Sequence, residues 1–205
     1  CSLMKTVLSS VYAGNLMYYS ILAKSSKVFI DGHENFNKQS YRNRCVISSP
    51  NGPLKLIIPI VRVSKNIVKS VKIDNDQNWR KIHWKSLESS YRSSPYFEFY
   101  ENEFKSLYFE KKIDYLLDFN QQLNSILLKC LNIETEILFS ESYIVNEGVI
   151  NDYRDLIHPS TQTTDSVKKI KYSQVFQESQ EFVSNLSVFD LLFNQGPMAK
   201  QLLNS

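Results

Sequence analysis

Short apolar runs alternate with a helical pattern over the first part of the chain. Residues 5–12 and 27–31 are apolar runs of strand length, and residues 14–24 between them carry apolar side chains close to helical spacing. A strand, a helix and a strand in this order indicate a βαβ unit with parallel pairing. The second strand of this unit ends on Asp31, Gly32 and His33. Ligands of parallel α/β sheets collect at such strand ends.

The next stretch predicts a hairpin followed by another strand. Residues 43–48 and 54–61 form two apolar runs, and the sequence Ser-Pro-Asn-Gly-Pro at 49–53 is a strong turn signal between them. Pro59 indicates an edge position or the end of pairing in the second strand. Residues 67–73 alternate apolar and polar side chains and predict a further strand.

Helical periodicity dominates the middle and the end of the chain. The whole pattern predicts one α/β domain over residues 1–205, with a small, mostly parallel sheet, an antiparallel hairpin, flanking helices, and helical middle and C-terminal segments. In the middle of the chain it predicts helices over 77–93 (capped from Asp74–Asp76), 97–109 and 111–130. A strand over 136–140, a short helix over 151–157 and an exposed loop over 159–169 follow. The last predicted helix covers 185–204; Asn185 or Ser187 caps it, and Gly196-Pro197 breaks it.

Composition narrows the class of protein. A net charge of +3 is too small to indicate nucleic-acid binding, and the absence of an apolar run of about 18 residues predicts no membrane span. The stretch Leu3 to Tyr12 lacks a cleavage pattern and predicts a buried strand, not a signal peptide. Cys1, Cys45 and Cys130 have no paired spacing, which favours reduced thiols and a cytoplasmic protein.

The densest polar run of the sequence follows the second predicted strand. In an extended segment over 40–46, alternation would place Arg42 and Arg44 on one face and Asn43 on the other. Two arginines could clamp a phosphate or a carboxylate, whereas the alternative is a solvated loop with surface ion pairs. The polar members of this run are His33, Glu34, Lys38, Gln39, Tyr41, Arg42, Asn43 and Arg44.

A second candidate site lies on the predicted helix over 77–93. Arg80, His83 and Tyr91 could contribute to a site, but an amphipathic helix packed on a sheet explains the same pattern. Three histidines and three cysteines without ligand spacing predict no metal site, and the chain has no glycine-rich phosphate loop. We therefore expect no cofactor.

Three stretches of the sequence carry a family resemblance: HENFNKQSYRNRCVI with SPNGPLKLIIPI (33–60), NWRKIHWKSLESSYRSSPYFEFY (78–100), and YSQVF with NLSVFDLLFNQGP (172–197). They resemble the WbqC-like protein family, and in particular its Bacteroidetes-type members. Many members carry a His-Gln-Pro-type triplet after the first strand. Here the corresponding stretch is Ser9, Ser10, Val11 and Tyr12, so no role of that histidine can be carried over.

The resemblance implies a cytoplasmic protein of O-antigen or other surface-polysaccharide biosynthesis, and it supplies no reaction. We expect an enzyme, with transferase as the candidate class, that acts on an anionic activated donor such as a nucleotide-sugar or an acyl derivative. The alternative is a non-catalytic binding or scaffold protein of the same pathway. In the enzyme hypothesis, Glu34 and His83 handle protons, and the ligand is bound by His33, Lys38, Arg42, Asn43, Arg44, Arg80 and Tyr91.

Overall fold

The computed structural model describes residues 5–61, 66–146, 150–161 and 170–205. The strands are β1 (Lys5–Leu8), β2 (Lys27–Ile30), β3 (Arg44–Ile47), β4 (Leu54–Ile57), β5 (Glu136–Phe139) and β6 (Ile150–Asp152). The α-helices are α1 (Leu16–Lys24), α2 (Trp79–Tyr91), α3 (Phe97–Phe109), α4 (Leu116–Leu131), α5 (Val188–Gln195) and α6 (Ala199–Leu203).

Four of the strands form a parallel sheet in the order β5-β2-β1-β6. Val7 of β1 pairs with Phe29 of β2, and Phe29 pairs in turn with Leu138 of β5. Helix α1 connects β1 to β2, so the predicted βαβ unit is confirmed. Because the pairings are parallel, the carboxyl ends of these strands meet at one edge of the sheet, which we call the carboxyl edge.

The hairpin is a separate, two-stranded antiparallel sheet of β3 and β4, as the turn sequence predicts. The backbone N–H of Gly52 donates to the carbonyl of Ser49 at 3.0 Å and closes the turn. Gly52 has a φ of +98°, which favours glycine at this position. Strand β4 ends at Ile57, before Pro59, so this proline does mark the end of pairing.

Most helices follow the predicted periodicity. Helix α3 has the bounds that the sequence predicts, whereas α4 begins at Leu116 and not at 111. Ser187 caps α5 by accepting a hydrogen bond from the N–H of Phe189, and a 3-10 turn over Gly196–Met198 follows this helix. One stripe of α4 packs into the core through the fully buried or nearly fully buried side chains of Leu116, Phe119, Leu123, Leu127 and Leu131.

The prediction of a strand over 67–73 is wrong. A 3-10 turn spans Val68–Ser70, and only isolated bridges flank it. The N–H groups of Val68 and Lys69 donate to the carbonyls of Glu34 and Gly32, at 2.9 and 2.8 Å. The segment therefore pairs with the irregular loop after β2, which offers no regular strand edge.

Residues 151–157 do not form the predicted helix. They continue β6 to Asp152 and then turn, because the carboxylate of Asp152 accepts hydrogen bonds from the backbone N–H and the side chain of Arg154. Of the predicted loop over 159–169, residues 162–169 lie outside the described residues. The described helices include none that is long and apolar enough to cross a membrane.

Gly196 provides a test of the packing between α3 and the C-terminal helices. Its φ is +51°, and a Cβ placed on it would lie 2.5 to 2.7 Å from ring atoms of Tyr96. We expect Gly196→Ala to lower the free energy of unfolding by about 3 kcal/mol, through backbone strain and overlap with the ring. Gly52→Ala is the control, since no atom lies within 4 Å of its Cβ position and strain alone remains. Equal losses in urea denaturation would contradict the packing argument.

Candidate functional site

A polar side chain lies at the carboxyl end of each strand of the parallel sheet. Ser9 follows β1, Asp31 follows β2, Ser140 follows β5, and Asp152 is the last residue of β6. The sequence places these residues far apart in the chain, and parallel pairing gathers them at the carboxyl edge. Hydrogen bonds then join them into two buried networks.

The first network surrounds Asp31, whose side chain is fully buried. Its Oδ1 accepts hydrogen bonds from the N–H of His33 (2.9 Å) and the hydroxyl of Ser140 (3.0 Å). Its Oδ2 accepts from the N–H of Ile144 (3.1 Å) and from Nη1 of Arg154 (2.6 Å). Four donors compensate for the desolvation of this carboxylate. The network thereby joins the loops that follow β2, β5 and β6.

Arg154 extends this network to Asp152. Its guanidinium donates to both carboxylate oxygens of Asp152 and stacks over the ring of Tyr143, with 4.8 Å between Cζ and the ring centroid. The hydrogen bonds from Arg154 hold the pKa of Asp152 below its usual range, despite partial burial. Arg154 therefore pairs with the carboxylates of both Asp31 and Asp152 within the protein, and we assign it a structural role.

The second network is a buried ion pair between Glu34 and Arg42. Nε and Nη2 of Arg42 donate to the two oxygens of Glu34 at 3.0 and 2.6 Å, and Nη2 also donates to the hydroxyl of Ser9 at 3.0 Å. Burial raises the pKa of Glu34, and the hydrogen bonds and charge of Arg42 oppose that rise. The pair holds the chain after β1 against the loop after β2.

This geometry corrects one prediction about the polar run. Residues 41–43 form a turn and β3 begins only at Arg44, so the segment over 40–46 is not extended throughout. Arg42 is buried against Glu34, whereas Arg44 is partly exposed at the start of the strand. The two arginines therefore have different surroundings, and the charge of Arg42 is already matched.

A cavity of about 300 Å³ lies between the parallel sheet and α4, which we call the sheet cavity. Its wall contains the residues at the carboxyl ends of β1, β2 and β5 and one polar stripe of α4. No charged side chain contributes to it among the described residues. The lining residues are Ser10, Val11, Tyr18, Ile30, Asn120, Gln121, Asn124, Ser125, Leu128, Thr135, Ile137 and Phe139.

Asn120 connects the sheet cavity to the ion pair. Its side chain is 2% exposed, and its Nδ2 donates to the hydroxyl of Ser10 at 3.1 Å and to the carbonyl of Arg42 at 2.8 Å. Its Oδ1 is buried and has no hydrogen-bond partner among the described residues. An unsatisfied buried acceptor is costly, so Asn120 is a polar residue of the cavity wall whose hydrogen bonding the described residues leave incomplete.

His83 lies on α2, between the hairpin and Tyr12 of the segment after β1. Its Nε2 is 3.2 Å from the carbonyl of Ile57, and its Nδ1 is 2.9 Å from the hydroxyl of Tyr12. A carbonyl can only accept, so Nε2 carries the proton and Nδ1 accepts from Tyr12, whose oxygen accepts in turn from Tyr108 at 2.6 Å. Burial lowers the pKa of His83 to about 4, so its imidazole is neutral near pH 7.

The other predicted residues of the polar run lie apart from the sheet cavity. His33 is at the carboxyl edge, where its Nε2 is 2.7 Å from Nζ of Lys69. Asn43 is buried and donates to the carbonyl of Ile58 at 2.9 Å, and Lys38 is exposed. Nε of Arg44 has no hydrogen-bond partner among the described residues.

The predicted residues of α2 do not meet the polar run either. Arg80 donates to the carbonyls of Lys111 and Ile113, at the opposite end of α2 from Tyr91. The hydroxyl of Tyr91 donates to the fully buried Asp190 at 2.9 Å. The structure thus brings together Glu34, Arg42 and the loop after β1. His83 reaches the same loop through Tyr12, Arg80 lies with His83 against Trp79, and Tyr91 lies apart, at Asp190.

Sequence reasoning missed the residues of the sheet cavity. One signal was present, since Asn120 interrupts the apolar stripe of α4 and Asn124 lies one turn after it. A buried amide in the best amphipathic helix of the chain indicates a polar partner across the interface. The described residues contain no group of three or more His, Cys, Asp or Glu side chains that could hold a metal ion.

The ion pair can be tested by removing one charge. Because Glu34→Gln leaves Arg42 buried without a counter-charge, we expect it to lower the free energy of unfolding by about 3 kcal/mol or more. The surface pair Lys27–Glu136, whose side chains are about half exposed, serves as the control. Glu136→Gln should cost about 1 kcal/mol or less. Similar losses for the two variants in urea denaturation would argue against a stabilising role of the buried pair.

His83 predicts a defined pH dependence of stability. Its pKa is near 6.5 in the unfolded chain and about 4 in the folded protein, so the unfolded chain binds more protons between these values. Stability from this group is therefore present above pH 6.5 and is lost as the pH falls towards 4. We expect the difference in unfolding free energy between wild type and His83→Gln to shrink by roughly 3 kcal/mol from pH 7 to pH 4. A pH-independent difference would show that folding leaves the pKa of this imidazole unchanged, which contradicts the prediction.

Comparison of the sequence with known proteins identifies a matching family model and a relative. The family model described as the WbqC-like protein family matches residues 10–166, which include Ser10, the polar run and α2 to α4. The uncharacterised protein Rv1507c of Mycobacterium tuberculosis is 22% identical over 211 residues, which cover 91% of each chain. No solved structure matches the chain. The family match spans well over half of the sequence, and the chain therefore belongs to the WbqC-like protein family.

Proposed function

We propose that this protein is an enzyme of surface-polysaccharide (O-antigen or lipopolysaccharide) biosynthesis that acts in the cytoplasm on an anionic activated sugar donor, such as a nucleotide-sugar. The observation that carries the proposal is the sheet cavity, with its uncharged hydrogen-bonding wall and the unpartnered Oδ1 of Asn120. The free thiols of Cys45 and Cys130 are compatible with a cytoplasmic protein.

The wall of the sheet cavity suits the hydroxyl groups of a sugar. Hydroxyl and amide side chains both donate and accept hydrogen bonds, as sugar hydroxyls do. A sugar hydroxyl could donate to Oδ1 of Asn120 and satisfy that buried acceptor. Tyr18 and Phe139 add aromatic surface to the same wall. The volume is near the lower end of the range for small-molecule sites, roughly 300 to 1,000 Å³, so one sugar unit fits better than a long acyl chain.

The anionic part of the donor requires cations at the carboxyl edge. Lys69 supplies one, because its Nζ is held at 2.7 Å from His33 and its backbone N–H donates to the carbonyl of Gly32. Gly32 packs against Leu117, one turn before the cavity residue Gln121 on α4. Arg42 has its charge matched by Glu34, so we assign this pair the task of positioning the Ser9–Ser10 segment.

A scaffold role in the same pathway is the second candidate function. The side chain of Phe99 on α3 is 74% exposed, and exposed aromatic residues are enriched at protein–protein interfaces. Phe99→Ser should then abolish co-purification with other enzymes of the pathway and leave the binding of nucleotide-sugars unchanged. Unchanged co-purification would remove the support that Phe99 gives to this alternative.

The sugar-donor proposal is tested by thermal shift with a panel of nucleotide-sugars and the parent nucleotides. We expect one nucleotide-sugar, at a concentration of roughly 100 times its Kd, to raise Tm by about 5 °C or more. The nucleotide without the sugar should give a smaller shift, because it leaves the sheet cavity empty. Failure of every nucleotide-sugar to stabilise the protein would overturn the proposal.

A matched pair of variants locates the binding site. Ser125 is exposed and lines the sheet cavity, so Ser125→Phe should obstruct it and remove the ligand-induced shift. Lys129 lies one turn further along α4, is exposed and does not line the cavity, so Lys129→Phe is the control. If both variants retain the wild-type shift, the ligand binds elsewhere.

A further inference from the structure

A second concave surface lies at the N-terminus of α2, away from the sheet cavity. It has a volume of about 490 Å³, and we call it the α2 groove. Its charged lining residues are four cations and one anion: Arg80, Lys81, Lys111, Lys112 and Glu110. The groove is therefore strongly basic in a protein whose net charge is only +3. A local excess of cations of this kind attracts anionic ligands.

Two residues that line the α2 groove carry buried donors without acceptors in the part of the chain that the structure describes. Nε1 of Trp79 and Nε of Arg80 are both buried, and neither has a hydrogen-bond partner among the described residues. Both residues line the groove, and the side chain of Trp79 is 3% exposed. An indole N–H and a guanidinium N–H can only donate. Two adjacent donors without acceptors indicate that an oxygen-rich group belongs in the groove.

The guanidinium of Arg80 is held in place by hydrogen bonds to uncharged acceptors. Its terminal nitrogens donate to the carbonyls of Lys111 and Ile113 and to Oδ1 of Asn75. No ion pair of Arg80 with a carboxylate is present in the described part of the chain, although Asp114 lies near enough to influence its pKa. Burial lowers the pKa of Arg80, and an incoming anion would offset that cost. The cation is thus preorganised, and the charge of Asp114 compensates it only in part.

The first turn of α2 adds backbone donors. The helix has 13 residues, and the side chain of Asn78 at its N-cap position makes no capping hydrogen bond. The first N–H that bonds back along the chain is that of Ile82, which donates to the carbonyl of Asn78 at 3.3 Å. The uncapped N–H groups before it carry the positive end of the helix dipole. Such a helix end favours anions when other donors are present, as they are here.

We propose that the α2 groove binds the phosphoryl group of a small molecule. A phosphoryl group offers at least three acceptor oxygens, which matches an indole N–H, a guanidinium N–H and a helix N-terminus better than the two oxygens of a carboxylate. The site shares no residue with the sheet cavity, so this inference stands independently of the sugar-donor proposal. Its phosphoryl group could belong to free diphosphate or to a nucleotide.

The indole resonances provide a direct test. The chain has two tryptophans, Trp79 and Trp84, so protein labelled with ¹⁵N at the indole gives two well-resolved signals. We expect millimolar pyrophosphate to shift the Trp79 signal and to leave that of Trp84 unchanged, and acetate at equal ionic strength to shift neither. Binding of uridine diphosphate at least ten times tighter than pyrophosphate identifies a nucleotide ligand, and equal binding identifies the diphosphate alone. Absence of a Trp79 shift with pyrophosphate overturns the proposal.

Charge variants confine the effect to the α2 groove. Lys81 and Lys112 are exposed and line it, so the double variant Lys81→Gln/Lys112→Gln should bind pyrophosphate about ten times more weakly. Lys55→Gln/Lys85→Gln removes two exposed charges outside the groove and should bind as wild type does. Equal affinities of the two double variants would contradict the site. Ser125→Phe should leave pyrophosphate binding intact, which separates this result from the sugar-donor test.

Discussion

The desolvation of Asp31 is the constraint on which the carboxyl edge depends. A carboxylate without solvent contact is stable only if donors surround it, and those donors come from the loops after β2 and β5 and from Arg154 beyond β6. The three loops must therefore take one arrangement together. Ser9 and the Glu34–Arg42 pair extend the same requirement to the loop after β1. The arrangement of these loops therefore determines the shape of the wall of the sheet cavity.

Local periodicity predicted the regular elements because each depends on residues close in sequence. The bounds of α3 and the βαβ unit follow from helical and strand spacing, and the hairpin follows from its turn residues. The segment 67–73 has the alternation of a strand, but its partners are irregular loops. The turn at Arg154 depends on a carboxylate two residues earlier, which competes with helix formation. Tertiary context decided the first failure, and a local hydrogen bond between side chain and backbone decided the second.

The sequence identified the polar run but not its internal pairing. Glu34 and Arg42 are eight residues apart in an irregular loop, where no periodicity relates them. Arg42 therefore looked available for an anion, while the fold uses its charge within the protein. The sheet cavity draws on β1, β2, β5 and α4, and no single stretch of sequence contains its pattern. Only Asn120, a polar residue in an apolar stripe, was a local sign of it.

The amide of Asn120 has one further consequence. Its Nδ2 donates to the carbonyl of Arg42, whereas its Oδ1 has no hydrogen-bond partner among the described residues. Hydrogen bonds that share a polarisable amide strengthen one another, so a donor bound at Oδ1 tightens the bonds made by Nδ2. A ligand that donates to Oδ1, as proposed, would thus couple occupancy of the cavity to the order of residues 33–44. A filled cavity should protect that loop from proteolysis and slow its amide exchange, which makes the loop a reporter of ligand occupancy.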